Sequence, residues 1–250
     1  MKYSLDFTSL APYWPVFING AWLTSKMTVL AVLIGVSLGT LVAFARRSGH
    51  RALAGACSVY VEAVRNTPFL VQIYLLYFGL ASFGIRMPTF AAAVLAMIIN
   101  IAAYSAEIIR AGLESVPKGQ IEAAESLGLP KWRIAWHVML QPSIEKVYPA
   151  LTGQFLLMMQ ASSMASQISA EELTAIANTV QSDTFRSLET YIVIAVLYVL
   201  LSLLIKLAAW GFGELLFKRR RIVRRDAARV GKKVTEDVAL AALSSHGGAG

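Results

Sequence analysis

Apolar and polar positions along this chain alternate in long blocks. Residues 27–45, 66–85, 87–106 and 147–170 hold no Asp, Glu, Lys or Arg, and 190–213 is interrupted only by Lys206. A bilayer-crossing helix needs about 20 mostly apolar residues. The blocks therefore predict an all-α integral membrane protein with about five spans, near 20–45, 66–85, 87–108, 145–168 and 189–213. Lys206 does not break the fifth, because a lysine stem can carry its charge towards the interface. Pro68 and Pro88 stand where helices open, since a proline costs no hydrogen bond in a first turn, and Gly79 and Gly84 mark the turn between them. In the loop 171–189, Ser169 with Glu172 three residues on reads as a capping box starting a short helix.

The polar interruption between the third and fourth blocks has a pattern of its own. In "IEAAESLGLPKWRIAWHVMLQP", residues 121–142, residues 121–127 read as a short helix. Gly128 stands where a helix end favours positive φ, and Pro130 falls in the first turn of the next helix. The pattern predicts two short helices at a fixed angle, with Ala123, Ala124 and Leu127 near one face and Glu122 and Glu125 near another. Such a knob can enter a groove on another protein. The plainer alternative is a connector packed under the chain's own bundle.

Composition supports the membrane reading and narrows the chemistry. Of 250 residues, 56% are hydrophobic and only 15% charged, with a mean hydropathy of +0.58. Soluble domains carry about 25% charged residues. The net charge of +8 is distributed as in membrane proteins and does not point to nucleic acid. Arg46, Arg47 and Arg51 follow the first block, five basic residues from Arg110 to Lys146 lie between the third and fourth, and six from Lys218 to Arg225 follow the fifth. The other side holds Lys2, Lys26, Arg86 and Arg186. Positive charge marks the cytoplasmic side, which places the N-terminus outside and the C-terminus inside. Tyr3, Tyr13, Trp14 and Trp22 suit an interfacial aromatic belt, and the basic tail suits anionic lipid.

The single Cys57 permits no intramolecular disulfide, and His50, His137 and His246 are too scattered for a metal or catalytic site. No G-x-x-x-x-G-K-[S/T] phosphate loop is present. Glu107 with Arg110, and Glu62 with Arg65, have the i,i+3 spacing of structural ion pairs.

The Glu122-Ala123-Ala124 run with Gly128 resembles the EAA loop of ABC importer permeases. Three further stretches agree with the polar amino acid branch of that family: "VRNTPFLVQIYLLYFGL", "AAYSAEIIRAGLESVPKGQIEAAESLG" and "TFRSLETYIVIAVLYVLLS". Together they cover roughly residues 19–217. The resemblance implies a type I importer permease domain over 1–217, a cytoplasmic coupling loop at 110–143, and a basic tail at 218–250. It implies that Glu122, Ala123, Ala124, Leu127, Gly128 and Pro130 meet an ATPase. The implied assembly has two ATPase subunits that bind the ATP and Mg, a second permease chain, identical or related, and an extracytoplasmic solute-binding protein. This chain would be non-catalytic, hold no cofactor and lie in a bacterial inner membrane.

The implied solute is a polar or charged amino acid, or a close derivative such as an opine. Polar groups at mid-membrane, where they are otherwise expensive, are then pathway candidates: Gln72, Asn100, Gln154, Gln160, Ser162 and Ser163. Each has the alternative of bonding a neighbouring helix. The chain departs from the family pattern at Asn66, where glycine is usual, at Leu140-Gln141-Pro142, where leucine-proline-glutamine is usual, and at "MQASSMASQISAEELT". An ion-coupled secondary carrier is the competing class, but more spans, inverted repeats and buried acids would be expected of it. A membrane-embedded enzyme would need catalytic side chains clustered at one depth.

Overall fold

The structure is a computed structural model that describes residues 4–217; Tyr3 and the basic tail at 218–250 lie outside the described residues. Among the described residues there are helices and no strands. We label α1 Trp14–Ala45, α2 Arg51–Arg65, α3 Phe69–Ser82, α4 Thr89–Glu114, α5 Lys118–Ser126, α6 Gln141–Ala161, α7 Leu173–Thr184 and α8 Ser187–Leu216. Residues up to Lys206 form one compact unit and Leu207–Gly250 a second, to which the described residues contribute only the end of α8. The packing below is that of the first unit.

Three helical stretches are long and apolar enough to cross a membrane: Thr8–Ala45, Thr89–Glu114 and Ser187–Leu216. α3 is apolar but shorter, and α6 carries Glu145 and Lys146 near its start and Pro149 within it. Burial ranks them. Two thirds of the most apolar stretch of α4 is buried, against 6% for α8. α4 is thus the central helix, while α1 and α8 present Leu33, Leu41, Val199 and Leu204 outward, as a lipid-facing surface should. α1 has 32 residues, about 48 Å of helix at 1.5 Å per residue, more than the roughly 30 Å of hydrocarbon.

Small residues set how closely α1 meets α4. A Cβ at Gly35 would lie 2.8 Å from Ile101, and one at Gly39 only 2.7 Å from the carbonyl oxygen of Ala102. The two are four residues apart, the glycine spacing that lets membrane helices touch backbone to backbone. Met27, Ala31, Ala92, Ala96, Met97 and Ile101 fill the seam. The spacing stands in the sequence as "GVSLG".

Past the loop knob the structure differs from the two short helices expected. Three helical stretches follow without interruption, Lys131–Arg133, the π-helical Ile134–Leu140, and α6. Pro142 stands at the start of α6. A proline donates no hydrogen bond and its ring crowds the carbonyl four residues back. A π turn widens the helix just there and relieves both conflicts.

The capping box expected at Ser169 is displaced as well. Ser169 has φ 59° and ends the 3-10 turn Ser162–Ile168, so it cannot open a helix. Glu172 is the N-cap of α7 instead: its Oε1 accepts from the Ala175 amide at 2.8 Å. Glu172 is fully buried, and its other oxygen accepts from the Tyr198 hydroxyl at 2.9 Å. The Leu173 amide donates to Thr24 Oγ1 at 3.1 Å. These bonds tie the start of α7 to both α1 and α8. The N-terminal segment is tied in similarly, its Asp6 amide donating to the buried Glu189 at 3.0 Å. The Thr8 hydroxyl and amide hold the Asp6 carboxyl below its usual range.

Candidate functional site

The turn from α2 to α3 shapes a cavity. α2 ends at Arg65, and Pro68 forces extended backbone, φ −58° and ψ 138°, before α3 begins. The last carbonyls of a helix lack intrahelical partners. Gln72, reaching back from α3, supplies them: its Nε2 donates to the carbonyls of Val64 at 2.7 Å and Thr67 at 2.9 Å. Its Oε1 accepts from Asn100 Nδ2 at 2.9 Å, between two buried side chains. Gln72 is therefore a brace that sets the turn and aims Asn100.

Beside this brace lies a cavity of about 560 Å3. Its walls are residues 65–69, Asn100 and Tyr104 of α4, and Gln154, Leu157, Met158 and Ala161 of α6. Arg65 is held at its edge. The guanidinium lies 5.6 Å from the centre of the Tyr104 ring and 4.0 Å from Glu107 Oε2, while the Tyr104 hydroxyl donates to the Arg65 carbonyl at 3.4 Å. A polar wall with one guanidinium can bind a carboxylate in two-point fashion, and the size falls within the roughly 300–1,000 Å3 of small-molecule sites.

Of the six pathway candidates, the structure brings Asn100 and Gln154 to this wall and places Gln72 behind it. Gln160, Ser162 and Ser163 do not line it. Ser162 is buried with its hydroxyl donating to the Met159 carbonyl at 2.6 Å, and Ser163 donates to the Gln160 carbonyl at 2.8 Å. Arg65 lies outside those six, because its i,i+3 spacing points to Glu62. In the structure Glu62 accepts from Asn66 Nδ2 instead, and Arg65 faces Glu107.

Glu107 is the centre of a larger cluster than its spacing to Arg110 suggested. It pairs with Arg110 and with Arg46 Nη1 at 2.6 Å, and Arg110 also pairs with Glu114. Arg46 Nε donates to Ser58 Oγ at 3.1 Å. One carboxylate thus joins the end of α1, α2 and α4. Replacing it with alanine leaves three guanidinium groups facing one another. Breaking a fully buried pair costs about 3–5 kcal/mol, but Glu107 keeps 22% of its side-chain exposure, so we expect about 1–2 kcal/mol after screening. Thermal melting of the detergent-extracted chain checks this: Glu107→Ala should lower Tm by a few degrees, and an unchanged Tm would mean that the cluster holds nothing together.

The loop knob is built as a helix with a glycine stop. Gly128 has φ +68°, its amide bonds the Glu125 carbonyl at 2.9 Å, and the Leu129 amide bonds the Ala124 carbonyl at 3.2 Å. That pair of bonds is the Schellman arrangement. Pro130 then takes ψ 145° and redirects the chain. The faces differ from expectation: Ala124 is buried, while Ala123 lies outward with Leu127, which is 79% exposed, and with Glu122 and Glu125. Trp132 and Trp136 are exposed beyond the corner. Large apolar side chains are thus left open on either side of a rigid turn.

Residues 31–219 match the family model described as "binding-protein-dependent transport system inner membrane component". The chain is 37% identical to the L-cystine transport system permease protein TcyB of Bacillus subtilis (strain 168), across 64% of this chain and 69% of that protein. It is 33% identical to the glutamine transport system permease protein GlnP of Escherichia coli (strain K12), across 80% and 92%. A crystal structure of an amino acid ABC transporter with histidines superposes with a TM-score of 0.77 at 40% identity, covering 85% of this chain and 99% of that one. The chain belongs to the family of binding-protein-dependent transport system inner membrane components.

Proposed function

We propose that this chain is the membrane-spanning permease subunit of an ATP-driven, binding-protein-dependent importer of polar or charged amino acids or close derivatives. Five crossings, by α1, α3, α4, α6 and α8, would place the N-terminus outside and α5 in the cytoplasm of a bacterial inner membrane. The observation that carries the reading is the cavity between the α2–α3 turn, α4 and α6. An amino acid there meets Arg65 with its carboxylate, and Asn100 and Gln154 with its remaining polar groups.

The mechanism needs no reaction in this chain. ATP and Mg belong to two partner ATPases, and a solute-binding protein delivers the amino acid from the other side. A second permease chain, identical or related, completes the pathway. The knob formed by Glu122, Ala123, Leu127 and Gly128 seats in the ATPase. Ala124 anchors it from beneath, and the Gly128–Pro130 corner keeps it rigid enough to pass on movement. Membrane lipid covers the outward faces of α1 and α8.

Uptake into proteoliposomes that carry the whole complex tests both parts. Hydrogen bonds to charged groups contribute about 1.5–3 kcal/mol, so Arg65→Gln should weaken half-saturation roughly 10- to 100-fold, and Arg65→Lys less. Unchanged half-saturation in Arg65→Gln would remove the cavity from the pathway. Uptake that proceeds without ATP would make the chain a secondary carrier instead.

A further inference from the structure

A second cavity, of about 290 Å3, lies at the end of the unit that holds the N-terminal segment. It is lined by Leu23 and Lys26 of α1, Thr89 and Phe90 at the start of α4, and Ser169 and Glu171 before α7. Two opposite charges flank it. Among the described residues neither Lys26 nor Glu171 has an ion-pair partner within 4 Å. Lys26 Nζ instead lies 5.4 Å from the centre of the Phe90 ring, and the Thr89 hydroxyl donates to the Ser169 carbonyl at 3.4 Å, closing the floor between α4 and the turn.

The charges at this cavity sum to zero, with the cation and the anion on different elements and an aromatic ring and a leucine at hand. A zwitterion is the ligand that satisfies such a set. Its carboxylate meets the Lys26 ammonium, its ammonium meets the Glu171 carboxylate, and its side chain rests on Phe90 and Leu23. An anion or a cation of the same size would gain one partner and face repulsion from the other. The volume is at the small edge of the range for small-molecule sites and is enough for one amino acid.

The position along α4 adds to this. Asn100 of the larger cavity follows Thr89 by eleven residues, three turns of helix, which puts both on one side of α4 about 16 Å apart along its axis. Ala93, Ala96 and Met97, between them on that side, are buried, so the two cavities are separate in this structure. Resting on the reading that this chain carries an amino acid, we propose that the cavity between Lys26 and Glu171 is a separate outer reception site for the head group of a zwitterionic α-amino acid. It would act ahead of the Arg65 cavity.

The test is protection of a cysteine in the full transporter complex, in membranes, without the solute-binding protein. Leu23→Cys in a Cys57→Ser background reports on the cavity through its labelling rate with a charged, impermeant thiol reagent. Thr89→Cys is a second reporter should the first fail to assemble. The probe is L-glutamine, chosen because its head group carries the two charges that Lys26 and Glu171 would meet. We expect it to slow labelling several-fold, whereas N-acetyl-L-glutamine, lacking the ammonium, and L-glutamine amide, lacking the carboxylate, should not. Lys26→Gln and Glu171→Gln should each abolish protection, and Arg65→Gln should retain it.

Equal protection by the two analogues, protection that survives both charge removals, or loss of protection in Arg65→Gln would overturn the site. So would no protection by L-glutamine at all. ATP-driven uptake from a pool of all L-amino acids, measured in the same membranes once the solute-binding protein has been added back, separates the two readings. Uptake without protection overturns the outer site and leaves the permease standing, whereas no uptake of any amino acid strikes at the permease reading itself.

Discussion

A permease chain carrying Gly128→Asp is expected to insert and fold, yet to take up no amino acid. The folding cost is small. A Cβ at Gly128 meets nothing within 4 Å, so only the positive φ of 68° is penalised. That penalty is about 1–2 kcal/mol for an ordinary residue and less for aspartate, whose side chain bonds locally in this region. The functional cost is much larger, because the added carboxylate stands beside Leu127 on the exposed corner that we propose seats in the ATPase. An uncompensated charge buried at an interface core costs several kcal/mol, enough to lower docking by a factor of a thousand or more. Glu122→Lys tests the same surface by reversing a charge without touching the turn. The check is membrane-inserted chain, bound ATPase and uptake measured together. Normal uptake by both variants would return α5 to the status of a connector.

The second large effect is expected at Gly39, through packing alone. A side-chain carbon there would lie 2.7 Å from the Ala102 carbonyl oxygen, 2.9 Å from Ser105 Cβ and 3.1 Å from the Ala106 amide. Two of these three neighbours are backbone atoms of the central helix, which cannot turn aside as a flexible side chain would. Overpacking of this kind costs about 1–3 kcal/mol for small additions, so Gly39→Ala should lower Tm clearly, and Gly39→Val should prevent recovery of folded complex. Gly153→Ala is the control. It lies in mid-helix with open space around the added carbon, and alanine favours the helix by roughly 0.5–1 kcal/mol. Equal behaviour of Gly39→Ala and Gly153→Ala would show that α1 and α4 are not held at backbone contact.

Much of the helical organisation could be read from the apolar blocks, because lipid leaves the backbone no partner but itself and each block must then be a helix. The ends of the elements were harder to read. The expected cap at Ser169 moved to Glu172 because a left-handed serine ends one turn before the next can begin. The short second helix after Pro130 became continuous with α6 because a π turn absorbs Pro142. The candidate site was legible in part. Asn100 and Gln154 were singled out as polar groups in apolar blocks and do reach the cavity wall. Gln160, Ser162 and Ser163 shared that property, yet the structure leaves them off the wall.

What the sequence by itself determined is whatever depends on neighbours in the chain: the apolar lengths, and the glycine stop and proline redirection around Leu129. These follow from local backbone preferences and from transfer into lipid, and no distant residue alters them. What only the tertiary structure decided is the partner of each polar side chain. Arg65 was three residues from Glu62 but faces Glu107, forty-two positions away, because α2 folds back along α4. Gln72 was a pathway candidate but is drawn to the open carbonyls at the end of α2 and to Asn100. A buried hydrogen-bonding group takes whichever partner the packing brings within about 3 Å, and that choice is made between helices.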